Sequence, residues 1–310
     1  MAIPFLGELF ALVSAFCYGF SAVAINRNAE AGNSSNGAYL SVLLTALLAG
    51  ICWLVMGRPL PDPGPTVWLG VGYFVLAGVL ANISGRVLMF RAVELVGAIE
   101  IGILRRLIPV FAALLAILLL GERITLPVAA GILLVFSGIA VVALGGRMSG
   151  ARSPDRPDLH RRAPEDLRHG RILGTVSSAS YGGAYVSRKF ALAGLPDPLL
   201  GTFVGAVTGL LCGAAIAPFS RRGRADYLSL FRRPALWQLI AAAAVSLGQI
   251  FQFFALSLTT VTAVAIIGSV EMFIAAWLSA LLLKSERKPG PQFLVASIFA
   301  LLGTLVITLG

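Results

Sequence analysis

Charged residues are scarce in this sequence of 310 residues: they make up 12% of the chain, whereas hydrophobic residues make up 58%. A soluble globular domain has about 25% charged residues, so this chain has too few to cover a surface exposed to water. The mean hydropathy of +0.90 agrees with that shortage. The composition therefore excludes a soluble globular protein and indicates one that lies in a lipid bilayer.

Histidine and cysteine are also rare. The two histidines, His160 and His169, lie in a polar segment, and the three cysteines (Cys17, Cys52, Cys212) lie in apolar runs. None of them has the spacing of a metal site, and no G-x-x-x-x-G-K-[ST] motif is present. The apolar runs contain neither a histidine nor paired aspartates. We therefore expect no metal, no cofactor and no catalytic residues, and the chain is not expected to be an enzyme.

Long apolar runs dominate what is present. Most are near the length of about 20 residues that a transmembrane helix needs, and the short alternating strands of a barrel are absent. The first run has no basic segment before it and no cleavage site, so we interpret it as a helix. The sequence thus predicts an all-α integral membrane protein with ten transmembrane helices, at 5–26, 38–57, 66–90, 98–120, 125–145, 170–192, 198–218, 234–258, 262–283 and 290–309.

The formal charge of +10 resides mainly in the predicted loops. Seven arginines lie in 146–171 and five in 219–233, both in loops between predicted spans, so we expect no nucleic-acid partner. The odd-numbered loops hold 16 Lys and Arg residues, and the even-numbered loops hold 4, namely Arg58, Arg123, Arg188 and Lys189. Because cytoplasmic loops carry the excess of positive charge, this count places both termini outside.

An internal repeat divides the chain. The segment V-S-A-F-C-Y-G at 13–19 matches V-S-S-A-S-Y-G at 176–182, with an offset of 163 that recurs between Ala92 and Ala255. The repeat defines a first half at 1–146, a charged linker at 147–169 and a second half at 170–310. Because each half has five spans, an odd number, the halves are expected to enter the membrane in opposite orientations. Inverted repeats are common in transporters, with the substrate site where the halves meet.

The segment P-V-F-A-A-L-L at 109–115, followed by L-L-L-G-E-R at 118–123, resembles the EamA-type repeat of the drug/metabolite transporter superfamily. The resemblance covers essentially the whole chain. It implies a central cavity surrounded by helices 1–4 and 6–9, with helices 5 and 10 at the periphery. Two features depart from the family pattern: Tyr-Gly replaces Trp-Gly in helices 1 and 6, and Met272 follows Glu271 where the family has proline.

Ionisable residues inside the spans are candidates for substrate binding, since each costs about 2.5–3.5 kcal/mol to insert. We expect Arg105 or Arg106 in the cavity, with the other arginine paired or snorkelling, because adjacent helical residues point about 100° apart. Pro109 is expected to bend the helix just beyond them. Glu100 and Glu271 are the candidate carboxylates. The alternative is internal ion pairing, for example between Arg105 and Glu271.

Other residues in this region favour different roles. Arg86 and Arg91 are interpreted as interfacial anchors, and Glu94 as a pairing partner of Arg91. Glu122 and Glu286 are expected to cap the turns into helices 5 and 10.

Neutral polar residues complete the candidate site. Tyr18, Tyr181, Tyr185, Gln249 and Gln252 are suited to lining a mixed cavity, although hydrogen bonding between helices is an equal alternative. In helix 7, glycine recurs at every fourth residue from 201 to 213, which favours close helix packing.

The sequence therefore predicts a secondary transporter, foremost a bacterial inner-membrane exporter of amino acids or related metabolites. An exchanger of phosphate-bearing anions and a multidrug exporter are the alternatives. The expected partners are a small-molecule substrate and membrane lipid, and a monomer is the expected state.

Overall fold

The computed structural model describes residues 5–31, 38–56, 59, 62–148, 164–219, 221–228, 230, 233–282 and 290–309. These residues are helical throughout, with short turns between the helices. The helices are α1 (Leu6–Glu30), α2 (Ala38–Met56), α3 (Pro65–Val79), α4 (Arg86–Val96), α5 (Ala98–Leu104), α6 (Ile108–Leu115), α7 (Leu126–Met148), α8 (Pro164–Gly194), α9 (Pro198–Ile216), α10 (Arg221–Leu228), α11 (Leu236–Leu258), α12 (Val261–Gly268), α13 (Glu271–Leu282) and α14 (Pro291–Leu309).

Eight helical segments of the described chain are long and apolar enough to cross a membrane. Among the remaining helices, α7 contributes a shorter apolar stretch at Leu126–Val141. Helix α8 is 31 residues long and carries charged side chains at its start, including Glu165 and Asp166. The chain is thus an all-helical, multi-pass membrane protein. The predicted third, fourth and ninth spans each consist of two helices in series, and most of the charged linker lies outside the described residues.

The fourth and ninth spans are interrupted near their middle. A 3-10 turn, Arg105–Leu107, separates α5 from α6, and the Ile108 amide donates to the Arg105 carbonyl. Pro109 has no N–H to continue the ladder. The predicted break is present, although it includes Arg105 and Arg106 rather than lying just beyond them. In the second half, Ser269 and Val270 separate α12 from α13. Because Ser269 lies 163 residues after Arg106, the two breaks obey the offset of the repeat.

Contacts between the halves are reciprocal. The Ser14 hydroxyl donates to the Gly248 carbonyl at 2.8 Å, and the Ser177 hydroxyl donates to the Gly85 carbonyl at 2.6 Å. Both the serines and the glycines are 163 residues apart, so each half makes the same bond to the other.

Glycine allows the helices to approach closely. A Cβ on Gly201 would lie 2.4 Å from a ring carbon of Phe74, and one on Gly213 would lie 2.4 Å from a ring carbon of Tyr39. This confirms the packing role predicted for the glycines of α9, with the exception of Gly205, where the nearest such atom is 4.0 Å away. Helices α7 and α14 pack mainly against each other, with Gly131 against Gly303. They lie away from the cavity described below, as the family resemblance implies.

Candidate functional site

A cavity of about 330 Å³ lies between the two halves. Its walls come from α1, the π-helical turn Leu80–Gly85, α4, the broken span α5–α6, α8, α11 and the broken span α12–α13. This volume is within the range of about 300–1,000 Å³ that is typical of small-molecule sites. Both interrupted spans open their break toward the cavity, since Arg105, Arg106, Gly268 and Ser269 all line it.

Eight of the nine predicted site residues line this cavity: Arg105, Arg106, Glu271, Tyr18, Tyr181, Tyr185, Gln249 and Gln252. The expectation that only one of the adjacent arginines would face the cavity is wrong, because both do. An arginine stem is long and flexible, so a guanidinium can reach a cavity toward which its backbone does not point.

Glu100 is the ninth predicted residue, and the structure places it outside the cavity walls. Its carboxylate instead forms an ion pair with Arg171 at the start of α8.

Arg188 is a cavity residue that the sequence does not predict as part of the site. The charge count assigns it to a loop, but it lies inside α8, is only 7% exposed and lines the cavity. Its Nη1 donates to Gln252 Oε1, and Gln252 Nε2 donates to the Tyr185 hydroxyl at 2.7 Å. Tyr181, Tyr185 and Arg188 follow the i, i+4, i+7 spacing of one helix face. This spacing is the signal in the sequence that places Arg188 on the same face as the two tyrosines. The adjacent Lys189 obscures it, because two consecutive basic residues are typical of a helix end.

Helices α1 and α11 meet at a second polar contact, where the Tyr18 hydroxyl donates to Gln249 Oε1 at 3.3 Å. The repeat offset relates Tyr18 to Tyr181 and Arg86 to Gln249. Tyr181 packs closely on Gly85, the residue before Arg86. Arg86 also lines the cavity, so its interpretation as an interfacial anchor is wrong. Arg91 is exposed outside the cavity, and the Glu94 side chain lies outside the described residues.

The cavity is strongly positive. Four arginines (Arg86, Arg105, Arg106, Arg188) face one carboxylate, Glu271, which gives a formal excess of three positive charges. Glu271 interacts electrostatically with Arg106. Among the described residues, however, the only ion pairs join Arg27 to Glu30 and Arg171 to Glu100. The Arg105–Glu271 ion pair, which was the alternative to substrate binding, is therefore absent from the described residues.

Arg188 is the most deeply buried of these four arginines. Its Cζ lies 4.9 Å from the Phe253 ring centroid and 5.8 Å from that of Tyr185. Such cation–π contacts contribute about 0.5–2 kcal/mol, whereas burial of an ion costs several kcal/mol. Aromatic contacts and one amide therefore leave much of this cost uncompensated, and a bound anion would offset it.

Polar contacts tie the helices together at both ends of α8. At one end, Thr259 Oγ1 donates to Glu8, and the Lys189 ammonium donates to the carbonyls of Leu256 and Thr259 at 2.8 and 2.7 Å. At the other end lies the Arg171–Glu100 pair. Since Arg171 and Lys189 are 18 residues apart on one helix, these two groups of contacts are roughly 27 Å apart. They are called the two closures below.

Glu122 caps a different helix from the one expected. Its carboxylate accepts from the amides of Val261 and Thr262, at 2.7 and 3.1 Å, and from the Thr262 hydroxyl. It thus caps the start of α12 across the repeat boundary rather than the turn into α7. A carboxylate at this position satisfies amides that have no partner within the helix. Glu286 lies outside the described residues.

Comparison with known proteins agrees with the resemblance seen in the sequence. The EamA-like transporter family matches residues 5–144 and 168–309, two segments that begin 163 residues apart. Comparison with curated proteins gives no match. One solved structure, described only as the crystal structure of a protein, is 17% identical with a TM-score of 0.62, and the match covers 98% of this chain and 96% of that one. At this identity the likeness supports the fold alone. The matched family, which covers nearly the whole chain in two repeats, shows that this protein belongs to the EamA-like transporter family.

Proposed function

We propose that the protein is a secondary transporter of small organic anions, solutes that carry carboxylate or phosphate groups. The observation that carries this proposal is the charge of the cavity, in which four arginines outnumber the single Glu271. Arginine keeps its proton under all physiological conditions and binds carboxylates and phosphates with two parallel hydrogen bonds. A site with this charge attracts anions and repels cations.

Each group in the cavity has a distinct task in this proposal. Arg105 and Arg106 meet the anionic group of the solute at the break between α5 and α6. Tyr18, Tyr181 and Tyr185 provide apolar faces with hydroxyl tips, which suit the carbon skeleton of a metabolite. Glu271, at the first turn of α13, accepts a hydrogen bond from a hydroxyl or amine of the solute.

Alternating access is proposed as the mechanism, with ten spans arranged as two inverted repeats. The reciprocal Ser14–Gly248 and Ser177–Gly85 bonds support this arrangement, because a two-fold relation between the halves requires each contact to occur twice. The closures at the two ends of α8 would break in turn, so that the cavity opens to one side of the membrane at a time. Rocking of one repeat against the other is the usual motion of such folds.

Orientation and location are also proposals. With Arg188 and Lys189 inside α8, the even-numbered loops hold only Arg58 and Arg123, so the excess of positive charge in the odd-numbered loops is larger than first counted. We place both termini outside and the protein in a bacterial inner membrane.

A second candidate function is amino-acid export, which one observation favours. Glu271 lies in the same cavity as Arg105 and Arg106, so a zwitterion could place its carboxylate on an arginine and its amine on Glu271. The three further positive charges have no partner in that arrangement, and this is why we favour anions.

Reconstituted liposomes separate the two candidates. Uptake of labelled solutes would be compared among dicarboxylates, sugar phosphates, nucleotides, zwitterionic amino acids and cationic drugs. We expect saturable exchange of anions that Glu271→Gln leaves within about threefold of wild type, since a charge change at this site alters affinity modestly for a solute without an amine. Exchange of amino acids that Glu271→Gln abolishes would select the second candidate. Exchange of cationic drugs alone would contradict both.

A further inference from the structure

A second, smaller cavity lies beside the central one, with a volume of about 40 Å³. Asn82, Arg86, Arg188 and Gln249 line both cavities. The rest of its wall comes mainly from α2, α3 and α9, which contribute little or nothing to the central cavity. We call it the side cavity.

The side cavity is positively charged without a carboxylate. Arg86 and Arg188 line it, and no Asp or Glu is among its lining residues. Arg188 donates from Nη1 to the neutral amide of Gln252. Its Nε is shielded from solvent and has no hydrogen-bond partner in the described part of the chain.

The side cavity is lined by several hydrogen-bond donors. The Gln249 oxygen accepts from Tyr18, which leaves the amide N–H groups of Gln249 to donate. The Asn82 amide uses one N–H on the Gly78 carbonyl at 2.9 Å and has a second. The Thr45 hydroxyl donates to the Ser41 carbonyl and also contacts the Ser246 hydroxyl. The lining residues thus include two arginines and two amides but no charged acceptor.

We propose that the side cavity holds a halide-sized inorganic anion, chloride in a cell, bound by Arg188 and Arg86 with the amides of Asn82 and Gln249. Arginine cannot relieve its burial by losing a proton, and a buried charge needs a partner of opposite sign. The cavity has room for a monoatomic ion and is far too small for an organic metabolite. The bound anion is a resident of the fold, and it lowers the positive charge that a transported solute meets.

The test is thermal unfolding of the purified full-length protein in detergent. Chloride or bromide would be titrated against methanesulfonate, which carries neither a carboxylate nor a phosphate, at constant ionic strength. A ligand that binds only the folded state at ten times its Kd raises the folding equilibrium constant about elevenfold. We expect a saturable rise in unfolding temperature with either halide, and Arg188→Met should abolish it.

Two glycine variants keep the test decisive even if Arg188→Met does not fold. Gly205 lines the side cavity and has room for a methyl group, since the nearest side-chain atom would lie 4.0 Å away. Gly205→Ala should fold normally and require a higher halide concentration for the same shift. Gly72→Ala, on α3 with no atom within 4 Å of its added Cβ, is the matched control and should respond as wild type does.

Equal stabilisation by halide and methanesulfonate would overturn the proposal, as would a halide response that persists in Arg188→Met or is undiminished in Gly205→Ala. A response to acetate or formate but not to halides would also overturn it, and would assign the side cavity to a carboxylate group of the solute. Because no solute moves in this measurement, a missing halide response is distinguishable from a failure of the proposed transport function.

Discussion

Arg188 is a buried charge without a carboxylate partner among the described residues. It lies in α8, held by Gln252 and flanked by Tyr185 and Phe253. A charge in this state stabilises nothing by itself. An anion bound there, as proposed above, would offset the cost of its burial and would link that cost to function.

A carboxylate placed permanently beside Arg188 should therefore make the protein more stable and weaken its binding of an anionic solute. Gln252→Glu places an anion within hydrogen-bonding distance of Arg188, and we expect the unfolding temperature to rise by a few degrees, since hydrogen bonds to charged groups contribute about 1.5–3 kcal/mol. Affinity for an anionic solute should fall about tenfold or more, because the new charge competes with it.

Gln252→Leu is the matched comparison for that variant. It removes the partner of Arg188 without replacing it, so the unfolding temperature should decrease. Differential scanning fluorimetry and solute binding on the same preparations check both variants. If Gln252→Glu were less stable than Gln252→Leu, Arg188 would not be the uncompensated charge described here.

At the scale of elements, the central feature is the pair of interrupted spans. Pro109 allowed the first break to be predicted, because proline removes a backbone donor from the helix. The second break could not be predicted, since Met272 stands where the repeat offset would place a proline and methionine is a good helix former. Helix α1 packs closely on this break at Gly19, whose added Cβ would lie 2.9 Å from the Glu271 carbonyl.

Restoring a proline at this position should be tolerated. Met272 lies in the first turn of α13, where amides have no partner within the helix. We therefore expect Met272→Pro to unfold within a few degrees of wild type. Ala276→Pro, four residues further into the same helix, should cost about 3 kcal/mol or more. Thermal unfolding of both variants decides this, and equal losses would show that α13 does not begin at Glu271.

Helix α9 provides a second test of element packing. Gly201→Ala would put a methyl 2.4 Å from the Phe74 ring, whereas the methyl of Gly205→Ala meets only ordinary contact. Overpacking typically costs about 1–3 kcal/mol, so Gly201→Ala should have the lower unfolding temperature of the two. Equal stability would mean that α3 and α9 are less closely packed than described.

For the whole molecule, the sequence predicted the membrane class, the repeat and most of the cavity wall. Hydrophobic runs and the constant offset of the repeat can both be recognised in a single sequence. The partners of Arg188 and Glu122 could not be predicted, because they come from helices far apart in sequence. Gln252 lies 64 residues from Arg188, and Val261 lies 139 residues from Glu122.

Alternating access predicts that locking either closure stops transport. In a variant whose Cys17, Cys52 and Cys212 are replaced by serine, the pairs Glu8→Cys with Thr259→Cys and Glu100→Cys with Arg171→Cys would each be bridged by a bis-methanethiosulfonate reagent. Such a reagent spans the gap left by the longer native side chains, which a direct disulfide cannot bridge when the Cα atoms are more than about 7 Å apart. We expect exchange to cease in both and to return on reduction. Exchange that continued through either cross-linked form, verified by mass spectrometry, would show that the closure in question does not open during transport.

The central claim is that the arginines lining the cavity bind an anionic solute. A comparison of two arginines on α4 tests it most directly. Arg86 lines the cavity, whereas Arg91 is exposed outside it. The measurement is the rate of labelled-anion exchange in liposomes containing Arg86→Gln or Arg91→Gln at equal protein density. We predict that Arg86→Gln lowers exchange about tenfold or more, because this variant removes one of the four positive charges that attract the solute into the cavity, and that Arg91→Gln leaves it near wild type. Equal rates in the two variants would contradict the account.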